Sequence, residues 1–276
     1  MPGTLYIVGT PIGNLEDLSP RAVRILSEAD FIAAEDTRVT RGLMSRFGIK
    51  NELVAYHDHN KDSAGSAILD RLSAGESCAL VTDAGMPAIS DPGENLVRLC
   101  HDSGVTVASV PGPTAVATAL ALSGLPTGRF TFEGFLAVAN TPRKKHLDSL
   151  RDERRTMVFY EAPHKLTRTL SDMLAVFGDR QIALVREMTK LYEEVERTTL
   201  EKAAEKYREV KPRGEYVIVI EGKKEEDKAP PDENELIKRL DELIGTGLSR
   251  SDAVKALAAE TGLPKNAVYR LANISR

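Results

Sequence analysis

Three short glycine-bearing segments have the residue types that a ligand-binding turn requires. Gly9–Leu15 (GTPIGNL) follows the first apolar run, Val81–Pro87 (VTDAGMP) follows a later one, and Val110–Thr114 (VPGPT) comes one run after that. Glycine permits close approach of the backbone to a ligand, and open α/β sheets bind ligands at the carboxyl ends of their strands. None of the three has the spacing of a dinucleotide-binding or P-loop turn. We expect the second and third to converge on one crevice, whereas a plain turn is an equal alternative for the first.

Polar and charged residues cluster in three further segments. Glu35–Arg38 (EDTR) and Tyr56–Asn60 (YHDHN) follow predicted strands and suit substrate-binding loops at the same sheet edge. Arg186–Lys190 (REMTK) offers two cations and an acid for an anionic substrate or for proton transfer, or else forms a surface salt-bridge set. His57 and His59 have no distant partner, so we predict no metal site. A nucleophile elbow and a Cys–His pair are both absent from the sequence, which leaves covalent hydrolysis without candidates.

The composition is that of a globular protein with room for two domains of ordinary size. The chain has 276 residues, of which 42% are hydrophobic and 28% charged, and its net charge is −4. These values exclude disordered, collagen-like and disulfide-dense classes, and they show no overall basic signature. Cys78 and Cys100 lack metal-ligand spacing and are expected to be small buried thiols. The N-terminus has neither a signal peptide nor an apolar run of membrane-spanning length, so we expect a cytoplasmic protein without a membrane partner.

The elements that must position these segments alternate between β-branched apolar runs and amphipathic stretches. This βαβα rhythm predicts a parallel sheet in residues 1–115, with Ser19 and Asp91 capping the helices that begin at Pro20 and Pro92. In residues 116–222 predicted strands also adjoin strands, which favours a mixed sheet, with one helix over 143–153. Residues 223–231 read as a charged linker, and 232–276 as a small helical domain. The fold class is therefore α/β, with a cleft between two α/β domains.

Basic residues are concentrated in residues 143–168, which hold eight basic and four acidic side chains. Four of these eight cations, Arg143, Lys144, Lys145 and Arg151, fall on the helix predicted over 143–153. Lysine and arginine at such density suit contacts to a nucleic-acid backbone. The stretch, which includes Lys144 and Lys145, is therefore a local basic patch despite the net charge of −4.

Taken together, the segments resemble the tetrapyrrole methylase superfamily. The resemblance rests on GTPIGNL, AAEDTR, YHDHN, VTDAGMPAISDPG, VPGPTA, FEGFL, FYEAPH, REMTK and GEYVIVIEG, which occur in order over residues 4–222. They are most similar to the bacterial branch that methylates the 2′-oxygen of a cytidine ribose in small-subunit (16S) ribosomal RNA. The resemblance implies S-adenosylmethionine as methyl donor, two α/β domains with the donor in the cleft between them, a homodimer, and small-subunit ribosomal RNA or the 30S subunit as partner. Ala137 departs from the branch, where proline usually ends FEGFLP.

The resemblance also implies site residues, taken over segment by segment. The donor pocket would consist of Pro11, Asp83, Ala84, Gly85, Ile89, Ser90, Pro113, Thr114, Ala115, Tyr160, Ala162 and Gly214. Substrate contacts would come from the segments specific to the RNA-methylating branch, namely Glu35, Asp36, Thr37, Arg38, His57 and Asn60. Because the resemblance implies an RNA substrate, we expect the basic stretch Arg143–Arg155, with Lys144 and Lys145, to hold the RNA backbone. A general base would assist a weakly nucleophilic 2′-hydroxyl, and the candidates are Glu187 and Glu35, with Arg186 or Lys190 able to lower the pKa of the substrate hydroxyl.

Two alternatives remain open at this stage. The first is a methylase of a small tetrapyrrole or a protein side chain on the same scaffold, and the second is a non-catalytic RNA-binding module. In the C-terminal helices Ala258, Gly262 and Val268 have the spacing of a helix-turn-helix unit, although the segment has no net charge. An RNA clamp and a simple packing module are equally compatible with that segment.

Overall fold

We describe the protein from a computed structural model, which covers residues 1–224 and 232–274, with the side chains of 271–274 left aside. The chain divides into two compact units, one of residues 1–223 and one that begins at Lys224. Most of the predicted linker lies outside the described residues. Among the helices that the structure describes, none is both long enough and apolar enough to cross a membrane.

The first sheet of the larger unit has five parallel strands in the order β3-β2-β4-β1-β5. Its strands are β1 (Thr4–Val8), β2 (Phe31–Ala34), β3 (Leu53–Ala55), β4 (Cys78–Val81) and β5 (Thr106–Val110). Its helices are α1 (Pro20–Glu28), α2 (Thr37–Arg46), α3 (Lys61–Ser73) and α4 (Glu94–Asp102). Ile32 and Ala34 pack on one face of β2 and Phe31 and Ala33 on the other, so both faces of the sheet are covered, as parallel sheets require.

Local sequence signals explain most helix ends in this sheet, with one exception. The Ser19 hydroxyl accepts a hydrogen bond from the backbone N–H of Ala22 at 3.0 Å, which confirms the predicted cap of α1. The predicted cap at Asp91 is wrong, because α4 begins at Glu94 with Gly93 as its N-cap. Gly93 has φ +142°, and an added Cβ would lie 2.9 Å from Leu80 Cδ2. Glycine at this point lets the chain pass close to β4, which leaves Asp91 free for another role.

The second sheet is mixed, as predicted, with the order β6-β7-β10-β8-β9. Its strands are β6 (Phe130–Phe135), β7 (Thr156–Glu161), β8 (Gln181–Arg186), β9 (Glu194–Thr199) and β10 (Tyr216–Ile220), and only β6 and β7 pair in parallel. Its helices are α5 (Ala115–Ser123), α6 (Asn140–Ser149), α7 (Pro163–Phe177) and α8 (Leu200–Glu209). Although α5 directly follows β5 of the first sheet, it packs on the second one. The domain boundary between residues 115 and 116 stays a prediction.

The helix predicted over residues 143–153 has different ends in the structure. It begins at Asn140, three residues earlier than predicted. Pro142 does not prevent this start, because the N–H groups of the first helical turn have no intrahelical acceptor and proline lacks only that group. It ends at Ser149, and the following residues form a turn. In that turn Glu153 accepts hydrogen bonds from Arg155, and the Arg180 guanidinium donates to the carbonyls of Arg151 and Glu153. Arg151, Arg154 and Arg155 therefore lie beyond the helix.

The C-terminal unit contains three helices in the described residues, α9 (Glu233–Gly245), α10 (Arg250–Thr261) and α11 (Lys265–Ile274). Ala258 and Val268 are buried in their common core, and Gly262 closes α10 with φ +72°. Gly262 thus ends α10 in the left-handed conformation that favours glycine, and the helix-turn-helix character of the segment stays a prediction.

Candidate active site

The three glycine-bearing turns meet, because β4, β1 and β5 are neighbours and all three turns leave their carboxyl ends. Thr10 and Gly85 exchange backbone hydrogen bonds of 2.9 and 3.1 Å, and the Thr10 hydroxyl donates to the Thr82 carbonyl at 3.1 Å. Gly9 and Gly112 touch backbone to backbone, since a Cβ added to Gly9 would lie 2.7 Å from the Gly112 Cα. The three turns are therefore fixed to one another without help from long side chains.

Gly112→Ala tests this close contact. The new Cβ would lie 2.9 Å from the backbone of Gly9, so we expect a loss of about 1–3 kcal/mol in the free energy of unfolding, as for other overpacked sites. Chemical denaturation measures the loss. Gly128→Ala is the control, because nothing lies within 4 Å of its added Cβ. Equal stabilities of the two variants would contradict the contact.

A cavity of about 290 Å³ lies within the larger unit, between these turns and the second sheet. The first sheet contributes residues from the segments after β1, β2, β4 and β5, and the second sheet contributes the ends of β6, β7, β8 and β10. The wall consists of Ile12, Glu35, Thr82, Asp83, Ala84, Gly85, Met86, Ile89, Ser90, Asp91, Thr114, Ala115, Phe135, Tyr160, Glu161, Glu187, Met188, Lys190, Glu215, Tyr216 and Val217.

Eight of the twelve predicted donor residues line this cavity, namely Asp83, Ala84, Gly85, Ile89, Ser90, Thr114, Ala115 and Tyr160. The other four do not. Pro11 lines a neighbouring groove. Pro113 lies next to Gly85, because a Cβ added to Gly85 would be 3.7 Å from the Pro113 carbonyl oxygen. Ala162 is the N-cap of α7, and its N–H donates to Glu161 Oε1 at 2.9 Å. Gly214 faces Glu187, because an added Cβ would lie 2.5 Å from Oε1 of that side chain.

The cavity wall is strongly anionic. It contains six carboxylates and one cation, Lys190, among the described residues that line it. Burial, reinforced by the charges of Glu35 and Asp83, raises the pKa of Asp91 to about 6. Burial likewise raises the pKa of Asp83, although the backbone N–H of Asp36 donates to Oδ1 at 3.1 Å. A cationic ligand would relieve this repulsion.

One wall of the cavity is aromatic. The Tyr160 ring lies 5.4 Å from the Phe135 ring and 5.0 Å from that of Phe132, measured between centroids. Burial raises the pKa of Tyr160 to about 12, so its hydroxyl remains a hydrogen-bond donor at neutral pH. This wall suits a flat heterocycle with a polar edge.

Two loops that border the cavity contain all the non-glycine residues of positive φ in the described part of the chain. Ala88 and Ser90 follow β4 with φ of 66° and 62°, and Glu187 and Thr189 follow β8 with 52° and 65°. This conformation costs on the order of 1–3 kcal/mol per residue and clusters at functional sites. Two of these four residues, Ser90 and Glu187, line the cavity.

The catalytic candidates do not all reach the cavity. Glu35 and Glu187 both line it; Glu35 Oε2 accepts a hydrogen bond from the Thr82 hydroxyl at 2.6 Å, and Glu187 pairs with Lys190 at 3.3 Å. Arg186 pairs with Glu194 of β9 and is not part of the wall. Two candidate bases and one candidate cation therefore face the cavity.

The predicted substrate residues fall into two groups. The sequence predicts a loop for Thr37 and Arg38, but both lie in the first turn of α2. The Asp36 carboxylate accepts a hydrogen bond from the Arg38 N–H and caps this helix. His57 and Asn60 close their own turn, since Asn60 Oδ1 accepts from the His57 N–H at 2.8 Å and Nδ2 donates to the Ala55 carbonyl. Neither His57 nor Asn60 lines the cavity. Within the residues that the structure describes, no cluster of acids, histidines or cysteines could hold a metal ion.

The predicted RNA-binding stretch after residue 143 is only partly available for RNA. Arg143 is buried, and its guanidinium donates to Asp172 Oδ2 and to the Thr169 hydroxyl, both at 2.7 Å. The Thr169 hydroxyl in turn donates to Glu161, whose carboxylate reaches the cavity wall. Arg143 therefore supports the cavity from behind and cannot contact RNA, whereas Lys144 and Lys145 are exposed.

Several wall residues were not predicted from the sequence. Asp91 had been assigned to a helix cap, and Glu161, Phe135 and Glu215 were not singled out within the segments that contain them. The sequence carries a signal for two of them, because Phe135 ends the predicted strand 130–135 and Glu161 directly follows the predicted strand 156–160.

Comparisons with known proteins agree with this geometry. The sequence pattern of the tetrapyrrole (corrin/porphyrin) methylases matches residues 4–204. The ribosomal RNA small subunit methyltransferase I of Synechocystis sp. is 46% identical over 270 residues, which are 98% of this chain and 97% of that protein. The protein of the same name from Xylella fastidiosa (strain Temecula1) is 47% identical over 271 residues, 97% of this chain and 98% of the other.

A solved structure shares the fold. Uroporphyrin-III C-methyltransferase from Thermus thermophilus, complexed with S-adenosylhomocysteine, superposes with a TM-score of 0.54 at 24% identity, over 78% of this chain and 97% of that one. The two-sheet architecture, the match over residues 4–204 and the near full-length relatives lead to one conclusion: the chain belongs to the tetrapyrrole methylase family, a family of S-adenosylmethionine-dependent methyltransferases.

Proposed function

We propose that the protein transfers a methyl group from S-adenosylmethionine to the ribose 2′-oxygen of a cytidine in small-subunit ribosomal RNA. The observation that supports the substrate is the similarity over nearly the whole chain to proteins named ribosomal RNA small subunit methyltransferase I. The choice of a cytidine and of its 2′-oxygen rests on the resemblance found in the sequence.

The cavity fits the donor chemically. S-adenosylmethionine carries a sulfonium and an ammonium, and the wall offers the carboxylates of Asp83, Asp91 and Glu35 to these cations. The aromatic wall at Tyr160 and Phe135 suits the adenine ring. The backbone of the glycine-bearing turns allows close approach.

The donor, when bound, supplies an electrophilic methyl group to the substrate oxygen. The protein contributes alignment of oxygen, carbon and sulfur, which accounts for most of the catalysis in such a transfer. Glu35 and Glu187 face the cavity and are the groups that could take the proton of the 2′-hydroxyl as the C–O bond forms. S-adenosylhomocysteine, which the donor becomes when its S–CH3 bond breaks, no longer has the sulfonium charge. The anionic wall therefore binds this product less strongly than it binds the donor.

We further propose that the protein acts in the cytoplasm as a homodimer. Leu191 and Tyr192, which are 88% and 74% exposed, lie on the loop after β8 and provide an apolar surface of the kind that subunit contacts cover. The binding of Lys144 and Lys145 to RNA stays part of this proposal.

The decisive experiment is transfer of labelled methyl from S-adenosylmethionine to 30S subunits from a methylation-deficient strain, followed by mapping of the modified nucleotide. We expect label on the 2′-oxygen of one cytidine. Donor binding without label on RNA would overturn the proposed substrate and favour the alternative of a tetrapyrrole or protein methylase on the same scaffold. RNA binding without donor consumption would favour the non-catalytic alternative.

A further inference from the structure

The helix next to the active site carries an unbalanced positive charge. Residues 37–51, which include α2, contain four cations and no acid. Arg38 pairs with Asp36, but Arg41, Arg46 and Lys50 are exposed and form no ion pair with any residue that the structure describes. Three cationic side chains are thus available to an anionic partner.

The cations of residues 143–168 differ in this respect. Besides the buried Arg143, Arg151 pairs with Asp148 and Arg155 with Glu153. Ion pairs of this kind partly neutralise the charge that a phosphate would need. Residues 37–51 thus hold three cations that form no ion pair with a described residue, namely Arg41, Arg46 and Lys50, whereas residues 143–155 hold two, Lys144 and Lys145.

A groove joins α2 to the active site. It has a volume of about 340 Å³ and lies between the turn after β1 and the helix. Leu15 and Val39 are exposed apolar residues of its wall, and Arg46 is the cation among the described residues that line it. Thr82 and Asp83 line both this groove and the donor cavity. The hydrogen bond from the Asp36 N–H to Asp83 places the start of α2 beside the cavity, and the helix leads away from it for about 14 Å.

A second groove, of about 350 Å³, lies along the same helix and includes Arg41 and Lys50 in its wall. The free cations therefore border two concave surfaces on α2. An extended polyanion can follow such a surface, with its charged backbone on the cations and its bases against apolar side chains.

We propose that α2 and the groove beside it bind the RNA strand that flanks the methylated ribose. Arg41, Arg46 and Lys50 hold its phosphates, and a neighbouring base packs on Leu15 and Val39. This inference rests on the proposed function, since it names the surface on which that substrate lies. It also divides the electrostatics of the site, because the anionic cavity suits the cationic donor and repels phosphate, whereas the adjoining helix attracts it.

The charge test compares two triple variants of the full chain. R41Q/R46Q/K50Q, called the α2 variant, removes the three unpaired cations on and just after α2. K202Q/R208Q/K211Q removes three exposed cations on and just after α8 and is the matched control. The probe is a single-stranded RNA with the sequence around the mapped site, and the readout is the slope of log Kobs against log salt concentration. Loss of three phosphate contacts should make the slope shallower by about 2 for the α2 variant. The control should keep the wild-type slope.

A steric test uses Gly42, which lies in the groove wall and has nothing within 4 Å of an added Cβ. Gly42→Leu should fill the groove and raise KM for RNA, while Gly42→Ala leaves it open and keeps the wild-type KM. Affinity for S-adenosylmethionine should be unchanged in every variant, which shows that each one is folded.

The outcomes separate this inference from the proposed function. If the wild type methylates RNA but the α2 variant keeps the wild-type salt slope, the surface is misplaced and the function stands. A wild type that binds the donor and leaves RNA unlabelled would remove the proposed function instead. The proposed surface would also be overturned if the salt slope became shallower by more in the α8 control than in the α2 variant.

Discussion

Asp83→Ala is expected to lower the affinity for S-adenosylmethionine at least tenfold. The side chain lines the donor cavity, and burial together with the nearby charges of Glu35 and Asp36 raises its pKa. A bound cation compensates that repulsion, and a hydrogen bond to a charged group contributes about 1.5–3 kcal/mol. Alanine removes both the charge and the acceptor for the Asp36 N–H. Isothermal titration calorimetry measures the effect directly.

Asp83→Asn separates the two contributions. The amide oxygen can still accept from the Asp36 N–H, so the start of α2 keeps its position while the charge is lost. We expect the asparagine variant to bind the donor almost as weakly as the alanine variant. Full donor affinity in both variants would mean that the donor pocket lies elsewhere.

Asp91→Asn is expected to stabilise the free protein at pH 8 and to weaken donor binding. Burial and the carboxylates of Glu35 and Asp83 raise the pKa of Asp91 from 3.8 to about 6. A group whose pKa is raised on folding stabilises the fold below its unfolded pKa, and that contribution is lost as the pH rises through the folded value. At pH 8 the carboxylate is charged and unfavourable, so a neutral amide raises Tm. The gain should shrink as the pH falls from 8 through 6 towards 4.

The same carboxylate predicts a pH dependence of donor binding. In the wild type the affinity should fall as the pH drops through 6, because protonation of Asp91 removes a charge that faces the donor; in Asp91→Asn this part of the dependence should be absent. Asp70→Asn, at an exposed position on α3, controls for the loss of one negative charge. A Tm gain of the same size at pH 8 and pH 4, or an equal gain in the control, would contradict the assignment.

The sequence predicted most of the fold because its elements follow simple patterns. The runs Phe31–Ala34 and Phe130–Phe135 predict strands with the bounds of β2 and β6, and Glu233–Gly245 predicts a helix with the bounds of α9. Errors occurred where a local signal has two meanings. The helix predicted over 143–153 begins three residues earlier, because Pro142 is tolerated in the first turn of α6. Asp91 before Pro92 has the sequence pattern of a helix cap, but Gly93 is the N-cap of α4.

The site was predictable where the backbone defines it and less so where distant strands do. The turns at Gly9, Gly85 and Gly112 could be identified because glycine in a βα turn has a specific steric meaning. Glu161 could not, because its role depends on Thr169 and Arg143, which lie on two other elements. The cations of residues 37–51 give no such signal for a different reason, because residues 1–142 as a whole hold 10 basic and 16 acidic side chains and the acids conceal them.

The position of β10 has a consequence for how the chain folds during synthesis. This strand is the last of the second sheet in the sequence, yet it lies at the centre, between β7 and β8. The first sheet can close once β5 has emerged from the ribosome, whereas the β6–β7 and β8–β9 pairs remain separate until residues 216–220 join them. Since Glu215, Tyr216 and Val217 also line the cavity, a nascent chain has no complete donor site before its final strand is made.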